Sequence, residues 1–257
     1  MKYLRVYDTE ADKNSDSLSS AVSSLPVVIT VRNPLSVIYG RNYIENGLVF
    51  HLDGIDKGST ANAWTDLIGG HVFTKNNSSI TSDNNSFIFT SDANGYLKNS
   101  DTIDFNYLSS TIEITYKPTV ANKRCLLFLQ KTVGSISYGY FDNGRRACIY
   151  PANPNAGGSV ANAEHVFSSD LYNTVPHTIS INKNAGILDF SNNRTSIASN
   201  YWGGNNTINT IGNRELNNSG TKFVGHIYSI RIYNRLLSAD EMRHNQMIDN
   251  KRFNLGL

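Results

Sequence analysis

From Asn46 onward the sequence is cut into short apolar or alternating runs, four to twelve residues long, each bounded by clusters of Gly, Asn or Asp. They begin with NGLVFHLDG at Asn46 to Gly54 and include HVFTK at His71 to Lys75, FIFT at Phe87 to Thr90 and TIEITYKP at Thr111 to Pro118. They continue through CLLFLQK, SISYGYF, ACIY, HTISIN and ILDF to FVGHIYSIRIYN at Phe223 to Asn234. Most of these runs are too short for an ordinary helix, whereas a strand needs only about five or six residues. Many short strands at modest spacing, joined by residues that tolerate turn geometry, predict an antiparallel sandwich or barrel. Asp142-Asn143-Gly144 marks a hairpin, because Asn-Gly accepts the positive φ angles of tight turns. In TIEITYKP, Ile112 and Ile114 fall on one face and Glu113 and Thr115 on the other, which predicts a half-buried strand. The Phe223–Asn234 run is apolar at Phe223, Val224, Ile227, Ile230 and Ile232, and so predicts a strand covered on both faces.

One segment reads as a helix. Ser238-Ala239-Asp240-Glu241 is a capping box, and a helix from about Ala239 to Asn250 is expected to follow. Lys251 and Arg252 stand near its C-terminal end, where the helix dipole favours cations.

Residues 1–45 differ in texture. An apolar patch at Tyr3, Leu4, Val6 and Tyr7 precedes a polar Ser/Asp stretch, followed by LPVVITV, which contains Val28 and Ile29, and by LSVIY at Leu35 to Tyr39. This segment is too small to hold a core of its own. Its strands are expected to pair with the main domain, with a second copy, or with another protein, and strand addition makes it an assembly element. The expected division is therefore 1–45 for assembly and 46–257 for the folded domain.

Lys+Arg 23 against Asp+Glu 21 leaves a formal charge of +2, too small an excess for a nucleic-acid binder that neutralises phosphates with a basic surface. No run of about eighteen apolar residues is present, so no membrane partner is expected. The N-terminus turns acidic where an export signal needs an apolar stretch. Cys125 and Cys148 match no metal pattern and read as two free thiols.

Candidates for chemistry are sparse. Glu113, Glu164 and Glu215 each lack a second carboxylate at strand spacing, and Asp53 with Asp56 in HLDGID reads as a turn before it reads as a catalytic pair. The six His residues occur singly, there is no Gly-x-Ser-x-Gly elbow, and His226 reads as a strand residue. Catalytic residues are not expected, and the protein is not expected to be an enzyme. The best binding signal is Tyr201-Trp202-Gly203-Gly204-Asn205-Asn206. There a stacking surface in Tyr201 and Trp202 stands beside the amides of Asn205 and Asn206, which suit sugar hydroxyls. Burial of Trp202 against the sandwich is the competing reading. Tyr138, Tyr140 and Tyr150 lie on neighbouring expected strands, where packing is the simpler role.

The order of NGLVFHLDG, WTDLIGG at Trp64 to Gly70, TIEITYKP, HTISINKNAGILDF and the ending from Ile211 to Met242 resembles the concanavalin A-like, laminin G-like jelly-roll family. The ending is the most specific part, with its IG turn, the tetrad Arg231-Ile232-Tyr233-Asn234 and the Leu-Ser-x-Asp-Glu helix start. The resemblance covers about residues 45–257. It implies an all-β concanavalin A-like antiparallel β-sandwich with a short C-terminal helix and an N-terminal extended segment. It implies a packing role for Trp64 over a sugar platform, and it admits calcium in oxygen-rich loops, with Asp53 and Asp66 as candidates. The family holds enzymes, lectins and structural modules, so function does not follow from it. YLRVYDTEADKN at Tyr3 to Asn14, followed by LPVVITV, resembles N-terminal segments of virion proteins from bacteriophages of gut Bacteroidetes. That resemblance implies a head fibre, decoration or tail-associated protein at the virion surface, made in the host cytoplasm. Such a protein would be joined through its N-terminal segment to other virion proteins, form a symmetric homo-oligomer such as a trimer, and turn a lectin-like domain toward host glycans. A free bacterial lectin is the alternative, and a glycoside hydrolase a more distant one.

Overall fold

In a computed structural model, the residues described are 43–56, 62–90, 95–104, 109–120, 124–128, 137–142, 146–150, 163–166, 174–184, 187–192, 195–201, 207–212 and 223–257. The strands in chain order begin with β1 (Leu48–Asp53), β2 (Ala63–Thr65), β3 (Val72–Lys75), β4 (Thr81–Ser82), β5 (Phe87–Phe89) and β6 (Leu97–Asp104). Next come β7 (Ser109–Pro118), β8 (Arg124–Phe128), β9 (Ser137–Asp142), β10 (Arg146–Tyr150) and β11 (Ala163–Val166). The series ends with β12 (His177–Asn184), β13 (Ile187–Asn192), β14 (Thr195–Tyr201), β15 (Thr207–Ile211) and β16 (Gly225–Tyr233), before helix α1 (Ala239–Phe253). They form two antiparallel eight-stranded sheets. Sheet A runs β14-β13-β12-β7-β16-β5-β4, with β1 also paired to β16, and sheet B runs β11-β10-β9-β8-β15-β6-β3-β2. The all-β sandwich with a C-terminal helix is thus the fold.

The core lies between the sheets. Ile112, Ile114, Ile230, Ile232, Phe50, Leu52 and Ile179 point inward from sheet A and meet Trp64, Phe73, Leu97, Ile103, Ile208 and Ile211 of sheet B. β16 supplies Ile227 to this face beside Ile230 and Ile232 because its phase changes once. Ile227 pairs with Tyr116 but Ser229 pairs with Thr115, so Tyr228 is an extra residue. That bulge brings Ile227, Ile230 and Ile232 to the same face, although strict alternation would separate the first from the others. The expectation of two covered faces holds for β16, where only His226 keeps partial exposure.

For β7 the expectation of a half-buried strand is corrected. Glu113 and Thr115 are as buried as Ile114, because α1 lies across the outer face of sheet A. The helix starts as predicted. Ser238 Oγ accepts from the Glu241 amide at 3.2 Å, and Glu241 Oε2 accepts from the Ser238 amide at 2.8 Å. It ends later than predicted, at Phe253, where Asn254 closes it in the left-handed conformation with φ 53°. The IG turn has a steric reason, since Gly212 has φ +87° and a Cβ there would run into the Phe89 ring.

Register also settles the cysteines. Cys125 and Cys148 both pair with Tyr140, from opposite sides of β9. Two strand spacings, about 9.5 Å, separate them, more than a disulfide spans. β9 and β10 form the hairpin that Asp142-Asn143-Gly144 foretold, with Asp142 opposite Arg146.

Candidate functional site

Four buried charged residues, Asp53, Glu113, Arg231 and Asp249, gather where α1 meets sheet A. Cross-strand register places His51, Arg231, Glu113 and Ser180 in one row, and Asp53, Ser229, Thr115 and Thr178 in the next. Above the first row, Arg231 donates to both Asp249 oxygens of α1 at 2.7 Å and through Nε to Glu113 at 3.1 Å. Asn245 adds a 2.7 Å bond to Glu113 Oε2, and Tyr43 and Thr115 donate their hydroxyls to Asp249. The Tyr43 ring covers the guanidinium at 4.2 Å. Burial works against the charge on Arg231, but Asp249 and Glu113 outweigh it and hold the group protonated. Burial raises the Glu113 carboxyl above its ordinary value. With no exposure on either Glu113 or Arg231, this network holds the helix against sheet A.

Beside it, the opening loops are closed by carboxylates. Asp53 Oδ1 accepts from the Ile55 and Asp56 amides at 2.8 Å, as a turn former does. Arg252 then clamps both acids, reaching Asp53 Oδ2 at 2.9 Å and Asp56 Oδ2 at 3.0 Å. Arg252 stands in the last turn of α1, as expected, and in addition ties the helix end to the β1 loop. Burial pushes the Asp53 carboxyl up, but bonds from Arg252 and the Asp56 amide pull it further down, so it stays ionised at neutral pH. Asp66 accepts from the His51 amide at 2.7 Å, the Ile68 amide at 3.1 Å and the Gly69 amide at 2.8 Å. The two carboxylates considered for calcium are thus committed within the chain. Trp64 is fully buried, stacked on Phe87 at 4.7 Å and bonded through Nε1 to the Asp53 carbonyl, so its role is packing.

A cleft of about 650 Å3 opens at this point, with Tyr43, His51 and Asp53 as its buried residues and Leu48, Leu67 and Ile68 at its rim. His51 Nε2 is buried without a hydrogen-bond partner, 3.8 Å from Asp53 Oδ2. Burial and the neighbouring Arg231 outweigh the two aspartates and lower the imidazole to about 4, so it is neutral at pH 7.

A Ser, a His and an Asp do meet elsewhere. Ser86 Oγ lies 2.9 Å from His226 Nδ1 and donates to Asp83 Oδ1 at 3.0 Å. Asp83 approaches the same ring nitrogen, at 3.7 Å, whereas a triad needs serine and carboxylate on opposite nitrogens. Ser86 is also fully buried, and Asp83 closes the Asn85–Ser86 turn through their amides. His226 is a strand residue, as expected.

Of the residues favoured for sugar binding, Tyr201 is the last residue of β14, next to β13 at the edge of sheet A. Trp202, Asn205 and Asn206 lie outside the described residues, as do Tyr3, Leu4, Val6, Tyr7, Val28 and Ile29. Tyr138 and Tyr140 are on β9 and Tyr150 on β10 of sheet B. Sequence reasoning missed Arg231, Asp249 and Asn245 as one network and missed the cleft at His51. The only available signal was that a short strand segment, Ser229–Tyr233, carries an Arg between two isoleucines.

No family model matches the sequence, and no curated protein does. Solved structures share the fold. Domain 4 of AbnA, a GH43 extracellular arabinanase from Geobacillus stearothermophilus solved with arabinotriose, superposes with TM-score 0.57 at 14% identity, covering 78% of this chain and 98% of that domain. Trypanosoma rangeli sialidase in complex with sialic acid gives 0.56 at 13% identity, over 80% of this chain. The chain spans only 33% of the sialidase's length. The binding domain of botulinum neurotoxin DC in complex with SialylT gives 0.55 at 12% identity, over 80% of this chain and 52% of that one. The fold of this chain is therefore a β-sandwich shared with domains of carbohydrate-processing and carbohydrate-binding proteins.

Proposed function

We propose that the chain is a non-enzymatic glycan-binding display protein of a virus particle, a concanavalin A-like, laminin G-like jelly roll carried outward on an N-terminal assembly segment. The observation that carries the glycan reading is the match to nearly the whole of one arabinanase domain that was solved with an arabinose trisaccharide. The shared unit there is the sandwich by itself. Support for a non-enzymatic role comes from the acids: Asp53 and Asp56 are clamped by Arg252, and Glu113 is sealed beneath α1. The particle reading rests on the resemblance of residues 3–14 and 25–31 to phage virion proteins, with other virion proteins as partners and a symmetric homo-oligomer as the assembled form.

Two measurements test it. Glycan-array and titration binding of the full chain is expected to detect a saccharide, with Trp202→Ala weakening it by about tenfold or more, the loss of one good contact. Unchanged affinity would remove the Tyr201–Asn206 loop as the site. Light scattering of the full chain beside residues 43–257 is expected to show an oligomer that falls to monomer on truncation. The cut is placed before Tyr43 because the Tyr43 hydroxyl and the Ile44 amide are bonded to Asp249 and Asn245 of α1. Two monomers would favour a free lectin.

A further inference from the structure

The two sheets end side by side in edge strands, β4 of sheet A and β2 of sheet B, and a groove of about 790 Å3 is lined from both. Asn62, Thr74, Asn77, Ser78, Thr81 and Ser82 line it with amides and hydroxyls, groups that both donate and accept hydrogen bonds. Among the described residues that line the groove there is no Asp or Glu, and Lys75 is the cation. Among the described residues no carboxylate pairs with that ammonium, whose neighbour is the face of the buried Phe87 ring at 5.9 Å. Asp83, adjacent to Ser82 in sequence, is turned into its own loop and toward His226. On α1 and its flank, Arg231, Arg235, Arg243 and Arg252 are each matched to an acid. Lys75 is thus a cation held among sugar-compatible groups, with no anion of its own among the described residues.

We propose that this groove is a binding site for a carboxylate-bearing saccharide, with Lys75 taking the carboxylate and the surrounding hydroxyls and amides taking ring hydroxyls. The inference deepens the glycan reading above and rests on it. Burial already lowers the Lys75 ammonium from its ordinary value, so an anion brought to it restores lost stabilisation of the charge. A sialic acid and a uronic acid present the same chemistry here.

The test is titration of the full chain with 3′-sialyllactose, trigalacturonate and neutral lactose, repeated with Lys75→Gln and Lys75→Arg. One or both acidic sugars are expected to bind, with affinity falling as salt rises. Lys75→Gln should weaken that binding about tenfold or more, while Lys75→Arg keeps most of it and the melting temperature of both variants stays near that of the parent. Whichever acid binds identifies the source of the carboxylate. Binding of acidic sugars that is indifferent to Lys75→Gln overturns the assignment. Binding of neutral but not acidic sugars overturns it while leaving the glycan reading intact. Failure to bind any saccharide, there and across a glycan array, overturns both.

Discussion

The inner and outer faces of β1, β16, β7 and β12 are both out of water and are made of opposite materials. On the inner face the rows read Leu52–Ile230–Ile114–Ile179 and Phe50–Ile232–Ile112–Ile181, and no member is more than 4% exposed. On the outer face, one residue out of phase, they read His51–Arg231–Glu113–Ser180 and Asp53–Ser229–Thr115–Thr178, and none exceeds 6%. The inner face needs only shape and volume, since apolar burial has no direction. The outer face holds charges that must find partners, because an unmatched buried charge costs far more than a small void. α1 supplies those partners from Asn245 and Asp249, so its docking is directional where the sheet packing is not.

The largest expected effect follows from that asymmetry. Arg231→Met leaves Glu113 and Asp249 buried without their cation and is expected to cost about 3–5 kcal/mol in urea unfolding. Ile230→Val, on the adjacent residue but the other face, should cost only about 1 kcal/mol. Equal costs would break the comparison. Replacing Glu113, Arg231 and Asp249 together by apolar residues of similar size is expected to recover only part of the loss, because it removes the unpaired charges but takes the acceptors away from Tyr43, Thr115 and Asn245.

A smaller effect comes from His51, which the outer face keeps neutral. Its native value of about 4 lies below the ordinary 6.5 of an unfolded chain. As pH falls below 6.5 the unfolded chain takes up a proton that the native one refuses. Stability from this group is therefore whole above 6.5, declines down to pH 4, and is level below that. Integrated over the window it amounts to about 3 kcal/mol. The measurement is the difference in unfolding free energy between the parent and His51→Gln, followed from pH 7.5 to 4 so that other groups cancel. Parallel curves would mean that His51 is not held neutral.

What could be read in the sequence was what is encoded locally. Ser238 and Glu241 are three residues apart, and the capping box they form needs nothing else. Strand runs such as FIFT and the Ile–x–Ile of β7 show their inner face by period alone, and the Asp53 turn is closed by amides two and three residues on. The outer face was misread for a physical reason. Glu113 and Thr115 look solvent-facing in an alternating strand, and what buries them is a helix reached through bonds spanning 132 and 134 residues. Arg252 was likewise read from its own helix, while its partner Asp53 is 199 residues away. The groove at Lys75 was invisible because it depends on two sheet edges ending together, which no single run encodes.

The smallest effect asks how far the helix's local signal and its docking depend on each other. Ser238→Ala removes one acceptor, from the Glu241 amide, at an exposed terminus. The reciprocal half of the box survives, since Glu241 Oε2 still accepts from the backbone amide of residue 238, and Arg235 still grips Glu241 at 2.6 and 3.0 Å. That grip, with burial opposing it, pulls the Glu241 carboxyl down to about 2, so the pair stays formed at any pH used for unfolding. The expected cost is about 1 kcal/mol, that of a lost N-cap, with the denaturant slope unchanged. If α1 is held by the directed bonds of Asp249 and Asn245, its first turn can loosen without the outer face opening. A cost near that of Arg231→Met would instead mean that the cap and the buried charges form one cooperative unit. The polar face would then be only as stable as the exposed turn that leads into it.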